Sequence, residues 1–137
     1  MRFAFFLIKE GTMAKFIIST DSTADLYADY VREHDIRLAP LTFTIEKNGT
    51  MTEYLDNFTD YSQYVDFFAQ LRAKATARTS MLNYESHYNH FRKMAEEGAT
   101  DVLHFTISSG LASTINVAKQ AAADVKKEFP SFNLLPL

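Results

Sequence analysis

The chain has 137 residues, 47% of them hydrophobic and 23% charged, with a net charge of −3 and neither cysteine nor tryptophan. That length suits one domain, and the acidic balance argues against a nucleic-acid binder with a broad basic face. The missing thiols exclude cysteine catalysis, thiolate metal sites and disulfides.

Phe3–Ile8 is an apolar run of six residues. A membrane span takes about 20, and a secretion signal takes at least about 7 followed by small residues. Neither fits, so no membrane span is expected and a cytoplasmic protein is. Lys9-Glu10-Gly11 can be encoded by a purine-rich stretch like a bacterial ribosome-binding site, and Met13 comes one codon later. Translation is therefore expected to start at Met13, with residues 1–12 a leader outside the fold and 13–137 a single domain; an extra edge strand or a disordered leader is the alternative.

Lys15–Thr20 reads as a buried strand. Asp21-Ser22-Thr23 comes next and can cap a helix from about Ala24 to His34. Arg37–Ile45 reads as a second strand, with a bulge or edge at Pro40. Asn48-Gly49 is a hairpin signal, with Thr50–Leu55 returning antiparallel. Asp60 starts a helix with Tyr61, Tyr64, Val65, Phe68 and Leu71 on one face, and Asp60 with Gln63 resembles a capping box. The stripe Tyr61, Tyr64 and Phe68 is expected to be core packing, with an apolar pocket as the alternative.

Lys74–Leu82 reads as a loop. Tyr84, Tyr88, Phe91 and Ala95 mark a further amphipathic helix ended by Gly98. Val102–Ile107 is a buried strand, Ala112–Glu128 an Ala-rich helix stopped by Pro130, and Phe132–Leu137 a last strand. His87 and His90 are expected to be solvated or boundary residues, and His104 a core or sheet-edge one. The expected fold is α/β: a mostly parallel sheet flanked by helices, with a β-hairpin after the second strand.

Ligands of open parallel sheets collect beyond the carboxyl ends of the strands. Two expected strands end there in hydroxyl clusters, Thr20-Asp21-Ser22-Thr23 and Thr106-Ile107-Ser108-Ser109-Gly110, with Ser113 and Thr114 one turn later. Arg78-Thr79-Ser80 forms a third before a helix. Hydroxyls beside helix N-termini suit a carboxylate or a phosphate. Helix capping explains each cluster taken alone, and their convergence is not visible in the sequence. No glycine-rich phosphate loop, nucleophile elbow or histidine metal motif is present.

Thr20-Asp21-Ser22-Thr23-Ala24-Asp25-Leu26 resembles the opening of the DegV family. Ala39-Pro40-Leu41 is similar to the end of that family's second strand. Thr79-Ser80 resembles its Thr-Ser-Gln-Pro-Ser loop, and Ser108-Ser109-Gly110-Leu111, with Thr114, its Ser-Ser-x-Leu-Ser-Gly-Thr turn. The resemblance covers about Lys15 to Phe132. It departs at Met81-Leu82-Asn83 and at Ala112-Ser113, where the family has Gln-Pro-Ser and Ser-Gly.

The resemblance implies a two-domain fatty-acid carrier, not an enzyme, that needs no cofactor or metal. It implies an acyl carboxylate held by hydroxyls of the amino-terminal domain and presented to a separate ATP-binding fatty acid kinase subunit. Carried over by motif, Thr79 and Ser109 would contact the carboxylate, with Ser80 and Ser22 as second choices. The family's second domain has no counterpart here, so a truncated domain is expected. Such a chain would bind fatty acid weakly or not at all, and would expose an apolar face open to homodimerisation. Two alternatives stand beside this: a truncated domain without binding activity, and a site for a phosphorylated metabolite.

Overall fold

The computed structural model describes residues 16–137. The expected leader and the start at Met13 lie outside the described residues. In chain order come β1 (Ile17–Asp21), a 3-10 turn (Ser22–Ala24), α1 (Ala28–Glu33), β2 (Arg37–Ala39), β3 (Thr42–Lys47) and β4 (Thr50–Leu55). After these come α2 (Tyr61–Arg72), β5 (Thr76–Ser80), α3 (Tyr84–Glu96), β6 (Asp101–Phe105), α4 (Thr114–Glu128) and β7 (Asn133–Pro136).

Two sheets form. The first is parallel throughout, in the order β2-β1-β6-β7. The second is antiparallel, in the order β4-β3-β5. α3 and α4 lie side by side against the parallel sheet. Ala118, Ala121, Ala122 and Val125 recur at helical spacing on α4 and bury against Phe91, Met94, Val102 and Phe132. The small alanines let α4 approach closely, so this cluster is the main core.

Several expected elements change. The stretch Arg37–Ile45 is two strands in different sheets, because Pro40 has no N–H to continue a ladder. The hairpin therefore comes after the third strand, not the second. Its turn at Asn48-Gly49 has φ 53° and 78°, the left-handed pair that a two-residue hairpin requires. The segment Lys74–Leu82 is not a loop: β5 pairs with β3 from Thr42↔Ser80 to Glu46↔Thr76. Thr76-Ala77-Arg78-Thr79-Ser80 lacks large apolar residues, so only the pairing reveals it as a strand. The helix expected over Ala24–His34 starts late, because Asp25 is left-handed (φ 51°) and closes the 3-10 turn. The capping box of α2 is formed by Asp60 and Gln63.

A buried polar cluster sits between α3 and the sheet. Ser19 Oγ donates to the Arg37 carbonyl (3.0 Å) and lies 2.8 Å from His90 Nε2 and 2.9 Å from His104 Nδ1. His87 is fully buried, contrary to the expected solvated position, with Nε2 3.3 Å from Thr114 Oγ1. His90 is half-buried and His104 buried. Burial holds these imidazoles neutral. Burial first, with His87 and the Lys93 and Arg37 cations adding, lowers His90 to about 4. Burial first, then His90 and His87, lowers His104 to about 3. Burial also lowers His87, partly offset by the Asp21 carboxylate.

Unfolded imidazoles bind protons near pH 6.5, which the folded cluster refuses until far lower pH. Between those limits the unfolded state holds more protons, so stability rises with pH, by up to about 1.4 kcal/mol per unit for each buried ring. The urea midpoint is expected to fall between about pH 7 and about pH 5. An unchanged midpoint would contradict neutral buried histidines.

Candidate functional site

The parallel pairing Thr20↔Phe105 sets the ends of β1 and β6 side by side. The turns after these two strands therefore emerge at one edge. Asp21, 2% exposed, ties the two together. Its Oδ1 accepts from the Thr23 backbone N–H (3.0 Å) and from the Thr23 hydroxyl, and its Oδ2 accepts from the Ile107 N–H (3.3 Å).

The third cluster joins the same edge. Ser22 Oγ accepts from the Leu41 N–H (3.0 Å), and the next residue, Thr42, pairs with Ser80. Leu41 and Leu82 bury together with Ala39. The Ser113 hydroxyl reaches Met81 Sδ at 3.9 Å, linking the segment after β5 to the start of α4. All three hydroxyl clusters thus meet where strands β1, β5 and β6 end.

Capping explains only part of them. Asp21 caps the 3-10 turn, and Thr114 is buried against His87. Asn83 caps α3, which leaves Thr79 and Ser80 without a capping role. Ser109 sits exposed in the turn closed by the Leu111 N–H to Ser108 carbonyl bond (2.8 Å). Among the described residues, the hydroxyls of Thr79, Ser80 and Ser109 make no hydrogen bond. They are free to donate to an anion. Side chains alternate along a strand, so Thr79 shares a face with its partner Phe43, while Ser80 turns to the other face with Thr42.

Thr79 opens onto a cleft of about 760 Å³ between α2 and the antiparallel sheet. Phe43, Phe58, Tyr64, Phe67, Phe68 and Leu71 supply its apolar lining. Phe58 and Phe67 each meet Phe43 edge-on, with centroids 5.8 and 5.3 Å from it. The stripe expected as core is therefore a cleft wall instead. No residue of α2 is fully buried, and Tyr61 and Phe68 are 69% and 50% exposed. Phe58 and Phe67 were missed in the sequence. Phe67 extends the Tyr64–Phe68–Leu71 face at i+3, but Phe58 lies in an irregular segment without periodicity.

Charges also line the cleft. Arg72 and Arg78 can complement an anion, and Asp25 and Asp56 lie near Tyr64. Burial, together with those two carboxylates, holds the Tyr64 hydroxyl above its ordinary pKa. Among the described residues no group of histidines and carboxylates is arranged to hold a metal ion. No described helix is long and apolar enough to cross a membrane.

Asp21→Ala removes the acceptor that holds both turns. It should lower stability by about 2–4 kcal/mol, as expected for a buried charged hydrogen-bond acceptor. The Ile107 amide should also exchange with solvent more rapidly than in the parent protein. Unaltered exchange at Ile107 would show that the second turn holds itself.

The DegV family, described as one of uncharacterised proteins, matches residues 15–132. A Staphylococcus aureus DegV domain-containing 15.5 kDa protein is 33% identical over 110 residues, which is 80% of this chain and 74% of that protein. The Lactococcus lactis DegV domain-containing protein YteA is 35% identical over 119 residues, 85% of this chain but 38% of the relative. A stearic acid-binding protein from Eubacterium ventriosum superposes with a TM-score of 0.69 at 26% identity, over 90% of this chain and 41% of its own. A Thermotoga maritima protein reported to have a fatty acid binding function superposes with a TM-score of 0.72 at 25% identity, over 91% and 42%. This chain thus spans about two-fifths of the longer relatives. The match along residues 15–132 takes in every strand except β7 and all three hydroxyl clusters, and the chain belongs to the DegV family.

Proposed function

We propose that this chain binds a long-chain fatty acid, with the carboxylate at the hydroxyl edge and the acyl chain along the aromatic cleft. The observation that carries the reading is Thr79, which belongs to both: an unengaged hydroxyl at the meeting of three strand ends, on the face that lines the cleft. Thr79 and Ser109 are the first carboxylate donors, Ser80 and Ser22 the second, and Arg78 the nearby cation. The stearic acid-binding relative from Eubacterium ventriosum and the fatty acid-binding one from Thermotoga maritima support the ligand class.

The cleft volume lies within the roughly 300–1,000 Å³ of small-molecule sites. Each buried methylene contributes about 0.8 kcal/mol, and each shielded hydrogen bond to the carboxylate about 1.5–3 kcal/mol. A phosphorylated metabolite would use the same donors but has no use for a wall of four phenylalanines. The protein is a carrier rather than a catalyst, acting in the cytoplasm and presenting the carboxylate to an ATP-binding fatty acid kinase subunit. The cleft is open along one side, which weakens binding by this chain alone.

Native mass spectrometry of protein purified from bacterial cells without detergent tests this. An added mass equal to a fatty acid is expected. Thr79→Ala or Ser109→Ala should weaken oleate binding roughly ten- to hundredfold. A bare mass with no uptake of added oleate would overturn the reading and favour a domain without binding activity. Uptake unaffected by both substitutions would place the carboxylate elsewhere.

A further inference from the structure

Two buried ring nitrogens, His87 Nδ1 and His104 Nε2, make no hydrogen bond among the described residues. Both residues are 0% exposed. Buried polar atoms are nearly always paired, either within the protein or with ordered water, so these two nitrogens call for a partner.

The bonds around them settle which is donor and which is acceptor. Ser19 Oγ has three neighbours: the Arg37 carbonyl, His90 Nε2 and His104 Nδ1. A hydroxyl has one proton and two lone pairs, and a carbonyl only accepts. The Ser19 proton therefore goes to Arg37, and both rings donate to Ser19. His104, held neutral by burial, carries its single ring proton on Nδ1. His104 Nε2 is then a bare lone pair. Thr114 is 2% exposed, and among the described residues its hydroxyl bonds with His87 Nε2 alone. A buried hydroxyl proton needs an acceptor, so Thr114 donates and His87 Nε2 accepts. His87, whose charged form burial also disfavours, then carries its proton on Nδ1.

The two unpaired atoms are thus complementary, an N–H on His87 and a lone pair on His104. The N–H repels a cation, and the lone pair repels an anion. What fits is a small neutral molecule that both accepts and donates. The rings stand edge to face with centroids 5.5 Å apart. A water making two hydrogen bonds of about 2.9 Å each spans up to roughly 5.8 Å between nitrogens, and two polar partners suffice to hold it.

We infer that one water molecule is bound between His87 and His104, accepting from His87 Nδ1–H and donating to His104 Nε2. It completes a line of hydrogen bonds from Thr114 at the start of α4, through both rings, to Ser19 on β1 and the Arg37 carbonyl on β2. The turn that carries Ser109 leads into that line at Thr114.

NMR of the full isotope-labelled chain at neutral pH tests this. Long-range proton–nitrogen correlations are expected to show both His87 and His104 protonated on Nδ1. The His87 Nδ1 proton should show cross-relaxation with a long-lived water, and His104→Phe should abolish that signal. A proton on His104 Nε2 would overturn the proposal. So would a direct scalar coupling between His87 Nδ1 and His104 Nε2, absence of a long-lived water at His87, or a water signal that survives His104→Phe. The parent spectra decide the matter even if the variant does not fold.

Discussion

The site depends on one buried carboxylate at the junction of two parallel strands. β1 and β6 are distant in sequence and adjacent in the sheet, and each ends in a turn with no regular ladder to hold it. Asp21 supplies the missing restraint, accepting from Thr23 on its own turn and from Ile107 on the other. A buried carboxylate is costly unless its oxygens find donors, so the arrangement is self-consistent: the turns satisfy the charge and the charge orders the turns. Ser22 and Ser109 are positioned through this tie. Beneath it lie Ser19 and the three histidines, which use neutral hydrogen bonds rather than charges to fill the space under α3.

The antiparallel sheet obeys a different logic. α2 has an apolar face and a complete capping box, yet none of its residues is fully buried. Its aromatic side chains rest edge-on against Phe43 and Phe58 and leave a cleft rather than a filled core. Aromatic rings kept partly in water forgo stabilisation that close packing would supply. A helix held in that way is suited to enclose an apolar ligand, which would restore the lost contacts.

Local chemistry made much of this legible in the sequence. The Asn48-Gly49 turn, the Asp60 and Gln63 cap, the stop at Gly98 and the alanine face of α4 are all written in residues within a few positions of one another. Three of the family motifs single out Ser22, Thr79 with Ser80, and Ser109 as the residues to test. What escaped depends on partners far along the chain. β5 has no strand pattern until β3 pairs with it, and Pro40 divides one apolar run between two sheets. His87 looks like an ordinary polar helix residue until Thr114 and the sheet close over it. The convergence of three hydroxyl clusters is likewise a property of strand order, and no spacing in the sequence encodes it.

The most direct measurement is carbon-13 NMR of the full chain with carboxyl-labelled oleate. The account predicts one bound carboxyl resonance, in contact with the Thr79 methyl protons and still ionised below the roughly pH 4.3 at which an ordinary carboxyl protonates, because donors at the strand ends would hold the carboxylate ionised. A carboxyl resonance that titrates like the free acid in water, with no contact to Thr79, would contradict it.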